Sequence, residues 1–171
     1  MTGGPGVTAT YLMVDQDDMT TLLDSSADLL GAVAELEQDP EHDSIDIDTL
    51  WDALHFVLTG VTASEPLDDD PLSDAIVGVQ LFFEDDDADF IAFTPNPDLP
   101  PIIAALKAID LPARVRAFVP TSEQRVSSYP DGIFEGDREA LLAALFVALE
   151  SIIEFYVRAA ETGKHVVVSI V

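Results

Sequence analysis

The chain ends in HVVVSIV (His165 to Val171), an apolar run with no regular polar alternation. A half-exposed strand alternates between core and water, so this one is expected to be buried on both faces. Directly before it, a long helix is predicted from Asp137 to about Thr162. Asp137 and Glu139 sit in its first turn, Leu141, Leu142, Leu145, Leu149, Ile152, Ile153 and Tyr156 recur at core spacing, and Gly163 stops it. At the other end, Thr8 to Val14 has the β-branched and aromatic content of a strand. A strand at each end of the chain points to one closed unit.

With 171 residues, 48% of them hydrophobic, the chain can bury the core of one ordinary domain. The expected class is α+β: a single compact domain over residues 1–171, with a mixed β-sheet surrounded by helices, the long C-terminal helix and the buried C-terminal strand. Residues 1–7 are expected to be flexible. Helices are also predicted through Met19, Leu22 and Leu23 after the Asp15 to Asp18 cluster, from about Ser26 to Gln38, over Asp48 to Thr59, over Pro71 to Gly78 and through IIAALKAI. Ile45 to Ile47 reads as a short extended piece. Val79 to Phe83 and Phe90 to Thr94 read as two antiparallel strands around the acidic EDDDAD turn, Leu111 to Phe118 fits helix or strand, Thr121 to Arg125 reads as a helical turn, and YPDG marks a turn.

Charge excludes several functions. The chain has 33 acidic and 7 basic residues, for a formal net charge of -26. The first 106 residues carry 24 of the acids and no Lys or Arg, so this part cannot pair its carboxylates with Lys or Arg of its own. Such a field repels a phosphate backbone and an anionic membrane surface, so neither nucleic acid nor membrane is an expected partner. It suits a basic protein, bound cations or a salt-rich cytoplasm. There is no cysteine, which removes disulfides, thiolate metal sites and thiol nucleophiles. The start MTGGPGVTATYLMVD lacks the charged and apolar regions of a secretory signal, and the longest apolar run, Ala140 to Leu149, falls short of a bilayer span. A soluble, cytoplasmic protein is expected.

The segment IDIDTLWDALHFVLTG, Ile45 to Gly60, supplies the candidate site. At helical spacing Asp48, Asp52, His55 and Thr59 fall on one narrow arc, while Leu50, Ala53, Leu54, Phe56 and Val57 fill most of the remaining circumference. A helix this apolar belongs in an interior, and its polar stripe must meet either a groove or buried partners. With Trp51 at the border, Asp48, Trp51, Asp52, His55 and Thr59 form a candidate pocket. One reading makes an Asp–His acid/base pair or a set of hard cation ligands. The plainer and favoured one makes Asp48 the helix N-cap and gives His55 a carboxylate or backbone partner.

The acidic runs DDDPLSD and EDDDAD are expected to be solvated loops. Counting a calcium loop from Asp85 puts Phe90 where a glycine is required and Asn96 where a glutamate is required. Arg114, Arg116 and Arg125 are expected to anchor carboxylates rather than clamp an anion. No phosphate-binding glycine loop, GxSxG elbow or HExxH motif occurs, and no metal or cofactor is expected.

IDIDTLWDALHFVLTG, then DDPLSDAIVG, then YPDGIF, a long helix and ETGKHVVVSIV together resemble the YfbM-like bacterial proteins, a domain of unknown function. The resemblance runs from about Tyr11 to Val171, and its most specific part is Asp48 to Gly60. It implies one compact domain of sheet and helices and carries over no reaction. Two functions compete: a non-enzymatic binding protein for a basic partner or small ligand, and a small-molecule enzyme or metal-assisted hydrolase on the 48–59 helix. The first is favoured, because only one helix offers catalytic groups.

Overall fold

A computed structural model describes residues 7–25, 27–63, 66–82, 90–117 and 137–171, except the side chain of Arg138. The central strand is the C-terminal one, β5 (His165–Ile170). It pairs on one side with β1 (Ala9–Val14) and on the other with β4 (Phe90–Thr94), and β2 (Ser44–Asp46) and β3 (Gln80–Leu81) form the two ends. Tyr11 lies opposite Val168 and Leu12 opposite Val167, so the two ends of the chain meet in the middle of the sheet. All the described pairings are antiparallel. This corrects the mixed sheet expected from the sequence, since composition and alternation mark a strand but do not encode its neighbour's direction.

Both faces of β5 are covered, as its lack of a polar face demands. On one side Val167 packs with Leu12, Val14 and Ile91 beneath α1 (Gln16–Leu23) and α2 (Leu29–Gln38), which contribute Met19, Leu22 and Val33. A reciprocal capping box between Asp15 and Asp18 starts α1. Asp28 caps α2 through the Gly31 amide, so that helix begins at Leu29 rather than at Ser26. On the other side Val166 and Val168 join Tyr11, Met13 and Ala92 under α3 (Trp51–Thr59), α4 (Pro71–Val77), α5 (Leu99–Lys107), α6 (Leu111–Ala117) and α7 (Arg138–Glu161). The segment from Leu111, open between helix and strand in sequence, is thus helical.

Helix α7 supplies much of this second core, burying Leu145, Ile152, Phe155 and Ala159 completely. Each large apolar side chain so buried contributes about 1.5–3 kcal/mol. By length and composition alone, Glu139–Glu161 within α7 could cross a membrane, a property that counting the shorter apolar run missed. Of its most apolar window 33% is buried, and Phe146 and Val147 are exposed. The EDDDAD turn, the Thr121 to Arg125 turn, the YPDG turn and Arg125 lie outside the described residues, as do residues 1–6 of the segment expected to be flexible.

Candidate binding cleft

Helix α3 is the apolar rod its sequence predicts: Trp51 to Leu58 are all buried, and Gly60 ends it at φ 86. Its polar stripe is covered rather than open. His55, with no exposed surface, places Nδ1 2.7 Å from the Val61 carbonyl and Nε2 2.8 Å from Ser73 Oγ. A carbonyl only accepts, so Nδ1 carries the proton and the Ser73 hydroxyl donates to Nε2. Ser73 Oγ in turn accepts the Leu67 amide at 3.0 Å. Burial pushes the His55 pKa down and outweighs the raising effects of the Val61 carbonyl, Asp52 and Asp70. The ring is a neutral structural link between α3 and α4.

Asp52, 1% exposed, accepts from Thr62 Oγ1 at 2.9 Å and from the Ala63 amide at 2.8 Å, holding the chain that leaves α3. Thr59 Oγ1 donates to the His55 carbonyl at 2.8 Å. Trp51 donates its indole N–H to the Val7 carbonyl at 2.9 Å. Asp48 stands apart. It belongs to a 3-10 turn, Asp48–Leu50, at φ 58 and is exposed, and α3 has Leu50 at its N-cap with no side-chain bond. The capping role expected of Asp48 is therefore not realised, because the α-helix starts only at Trp51 and Asp48 lies two residues before its N-cap, Leu50. Among the described residues no three His, Cys, Asp or Glu side chains are grouped to hold a metal.

Arg114 also differs from expectation, donating through a guanidinium nitrogen to the Leu58 carbonyl at 2.9 Å. It covers the last turn of α3, where a cation meets the negative end of the helix. Arg116 is exposed.

A cleft lies instead beside α4. Asp70 caps this helix through the Leu72 amide, and Pro71 occupies its first turn. At its other end Tyr11 donates to the Ile76 carbonyl at 2.7 Å and Tyr156 to the Ala75 carbonyl at 2.5 Å. These carbonyls would otherwise be orphaned by the helix end. Burial, the first cause for each, pushes both phenol pKa values up, so the hydroxyls stay protonated donors. Gly78 then turns the chain into β3 at φ 83 and ψ 167, where an added Cβ would lie 2.9 Å from Ala92 Cβ.

Outside this braced corner is a cavity of about 540 Å³ lined by the apolar Leu67, Val77 and Phe90 and by the acidic Asp68, Asp69 and Asp74. Asp74 is half-buried, and burial followed by the charges of Asp70, Asp69, Asp98 and Asp68 pushes its pKa up to about 6. Among the described residues the lining contains no Lys or Arg. Apolar surface beside uncompensated negative charge suits a cation on an aliphatic stem, whose methylenes cover the apolar side while its charge meets the carboxylates. The sequence marks DDDPLSD only as acidic; its half-buried Asp74 and the approach of Phe90 come from the β3–β4 pairing. A second concavity, of about 370 Å³, runs between α5 and α7 over Ile103 and Val157, with Lys107 and Glu161 among its lining residues.

The family model described as "Domain of unknown function (DUF1877)" matches residues 6–169. The chain is 30% identical over 173 residues to the Escherichia coli (strain K12) protein YfbM, across 97% of this chain and 99% of that protein. It is also similar to the crystal structure of YfbM from Escherichia coli, a protein of unknown function, with a TM-score of 0.77 and 28% identity over 96% of this chain and 99% of that one. Within the IDIDTLWDALHFVLTG segment that carries the resemblance, Trp51 to Leu58 are buried in the core, and with a family match over nearly the whole length the chain belongs to the DUF1877 family of YfbM-like proteins.

Proposed function

We propose that this chain is a soluble, cytoplasmic, non-enzymatic binding protein whose cleft beside α4 receives a basic side chain of a partner protein. The observation that carries this reading is Asp74: a half-buried carboxylate under the charge of four more, on the wall of a cavity that also presents Leu67, Val77 and Phe90 and, among the described residues, no Lys or Arg. A lysine or arginine entering there would relieve repulsion already present in the fold, a larger gain than pairing with an isolated surface acid. The overall charge of -26 would speed the approach of a basic partner and make binding sensitive to salt.

The enzymatic alternative, centred on Asp48, Trp51, Asp52, His55 and Thr59, draws less support. Asp52 and His55 are sealed under the loop that follows α3, and Asp48 is not beside them. Catalysis needs convergent groups that a substrate can reach.

The test is a titration with a short Arg-Lys repeat peptide against three proteins. These are the wild type, a cleft variant (Asp68→Asn, Asp69→Asn, Asp74→Asn) and a charge-matched control (Glu35→Gln, Glu41→Gln, Glu150→Gln). The cleft variant is expected to lose about tenfold or more in affinity at moderate salt and the control much less. Equal losses would reduce the interaction to net charge and overturn the proposal.

A further inference from the structure

Away from the cleft, the turn that joins α2 to β2 carries a histidine held between two carboxylates. His42 Nε2 lies 2.9 Å from Asp18 Oδ2, and Nδ1 lies 3.3 Å from Asp39 Oδ2. A neutral imidazole has one N–H, so only the imidazolium offers a proton to both sides. The contact with Asp18 is a hydrogen bond, whereas Nδ1 lies at ion-pair distance from Asp39 without hydrogen-bond alignment and is buried, so its hold is by charge alone.

Both carboxylates are structural. Asp18 accepts the Asp15 amide in the capping box that begins α1, and Asp39 ends α2 and accepts the Glu41 amide at 2.9 Å. His42 therefore links the start of α1 to the end of α2, the two helices covering one face of the sheet with Met19, Leu22 and Val33. The turn is also tied by the His42 amide, which donates to the Asp39 carbonyl at 3.0 Å, and by the Met13 amide, which donates to the Asp43 carbonyl. We propose that Asp18, His42 and Asp39 form a pH-operated clamp: the imidazolium holds α1 and α2 together over the sheet, and its deprotonation loosens that layer.

The charges facing the ring support this assignment. Asp18 acts on it from α1 and Asp39 from the end of α2, while β1 presents no charged side chain and no Lys or Arg occurs before Lys107. Burial of the ring opposes its charge, but the two carboxylates outweigh burial and raise its pKa above the ordinary value. A raised histidine pKa contributes stability that is fully present below the unfolded value and is lost as pH rises through the folded one. The clamp is thus closed on the acidic side and open on the alkaline side.

The test is amide hydrogen exchange of α1 and α2, corrected for intrinsic rates, at about pH 5.5 and about pH 8.5, on either side of the histidine range. Wild-type protection is expected to fall about fivefold at the higher pH. His42→Gln, neutral at both values, is expected to show no such step, and Asp39→Asn a smaller one. A step of equal size in His42→Gln, or none in the wild type, would overturn the proposal. Direct titration of His42 by NMR gives a second readout, and a midpoint at or below the ordinary histidine value would also overturn it.

Discussion

His55 Nε2 lies 2.8 Å from Ser73 Oγ, with both side chains wholly buried, so α3 and α4 are hydrogen-bonded to each other through the interior. Removing the hydroxyl leaves both the ring nitrogen and the Leu67 amide without this partner. Ser73→Ala is therefore expected to cost about 2–3 kcal/mol, the penalty for stranding buried polar groups. Urea unfolding measures it, and a loss within error of zero would contradict a structural role for the pair.

The two tyrosines at the end of α4 behave as helix caps. Their rings meet edge to face, 6.2 Å apart, and each hydroxyl serves a different carbonyl. Tyr11→Phe and Tyr156→Phe are each expected to destabilise the fold by about 1–2 kcal/mol while leaving the ring packing intact. Because they brace the same helix end, the double variant is expected to depart from additivity. A full double-mutant cycle in denaturant would show this.

Gly78 is required by both its backbone and its surroundings. Its φ of 83 with ψ of 167 is a region open almost only to glycine, and an added Cβ would also meet Val168 Cγ1 at 3.1 Å. Gly78→Ala is expected to cost about 2–4 kcal/mol and to displace β3 from β4. Retention of wild-type stability would mean that the chain turns differently there.

Asp74 gives the cleft a pH dependence of defined sign. Its ordinary value of 3.8 rises to about 6 in the fold, so between these values the folded state binds the proton and the unfolded state does not. Stability is thus expected to fall as pH rises across that interval, and Asp74→Asn is expected to flatten this part of the profile. Cation binding should run the other way, strengthening as Asp74 ionises. Denaturant midpoints at a series of pH values, for wild type and variant, check the first point, and peptide titrations at the same values check the second.

How far the sequence can be read depends on the scale of the feature. HVVVSIV gave away its burial because a strand with no polar face has nowhere else to go, and Gly60 and Gly163 marked the ends of α3 and α7 through the positive φ that glycine tolerates. Asp52, His55 and Thr59 fall on one side of α3 as their spacing requires. Asp48 does not follow, because its turn winds as 3-10 and an α-helical period no longer applies. The hydroxyls of Tyr11 and Tyr156 reach acceptors 65 and 81 residues away, a pairing that local pattern cannot contain. The cleft was hidden for the same reason: its acids read as a solvated run until α4 and the β3–β4 pairing set them against Phe90.

The most direct measurement of the central claim is an NMR titration of the protein with N-acetyl-arginine amide, following backbone amides and the Asp74 carboxyl group. With the guanidinium in the cleft, shift changes are expected to concentrate at residues 66–82 and 90–92, and the Asp74 titration is expected to move below about 6. Changes spread evenly over the acidic surface, or centred on the groove between α5 and α7, would contradict it.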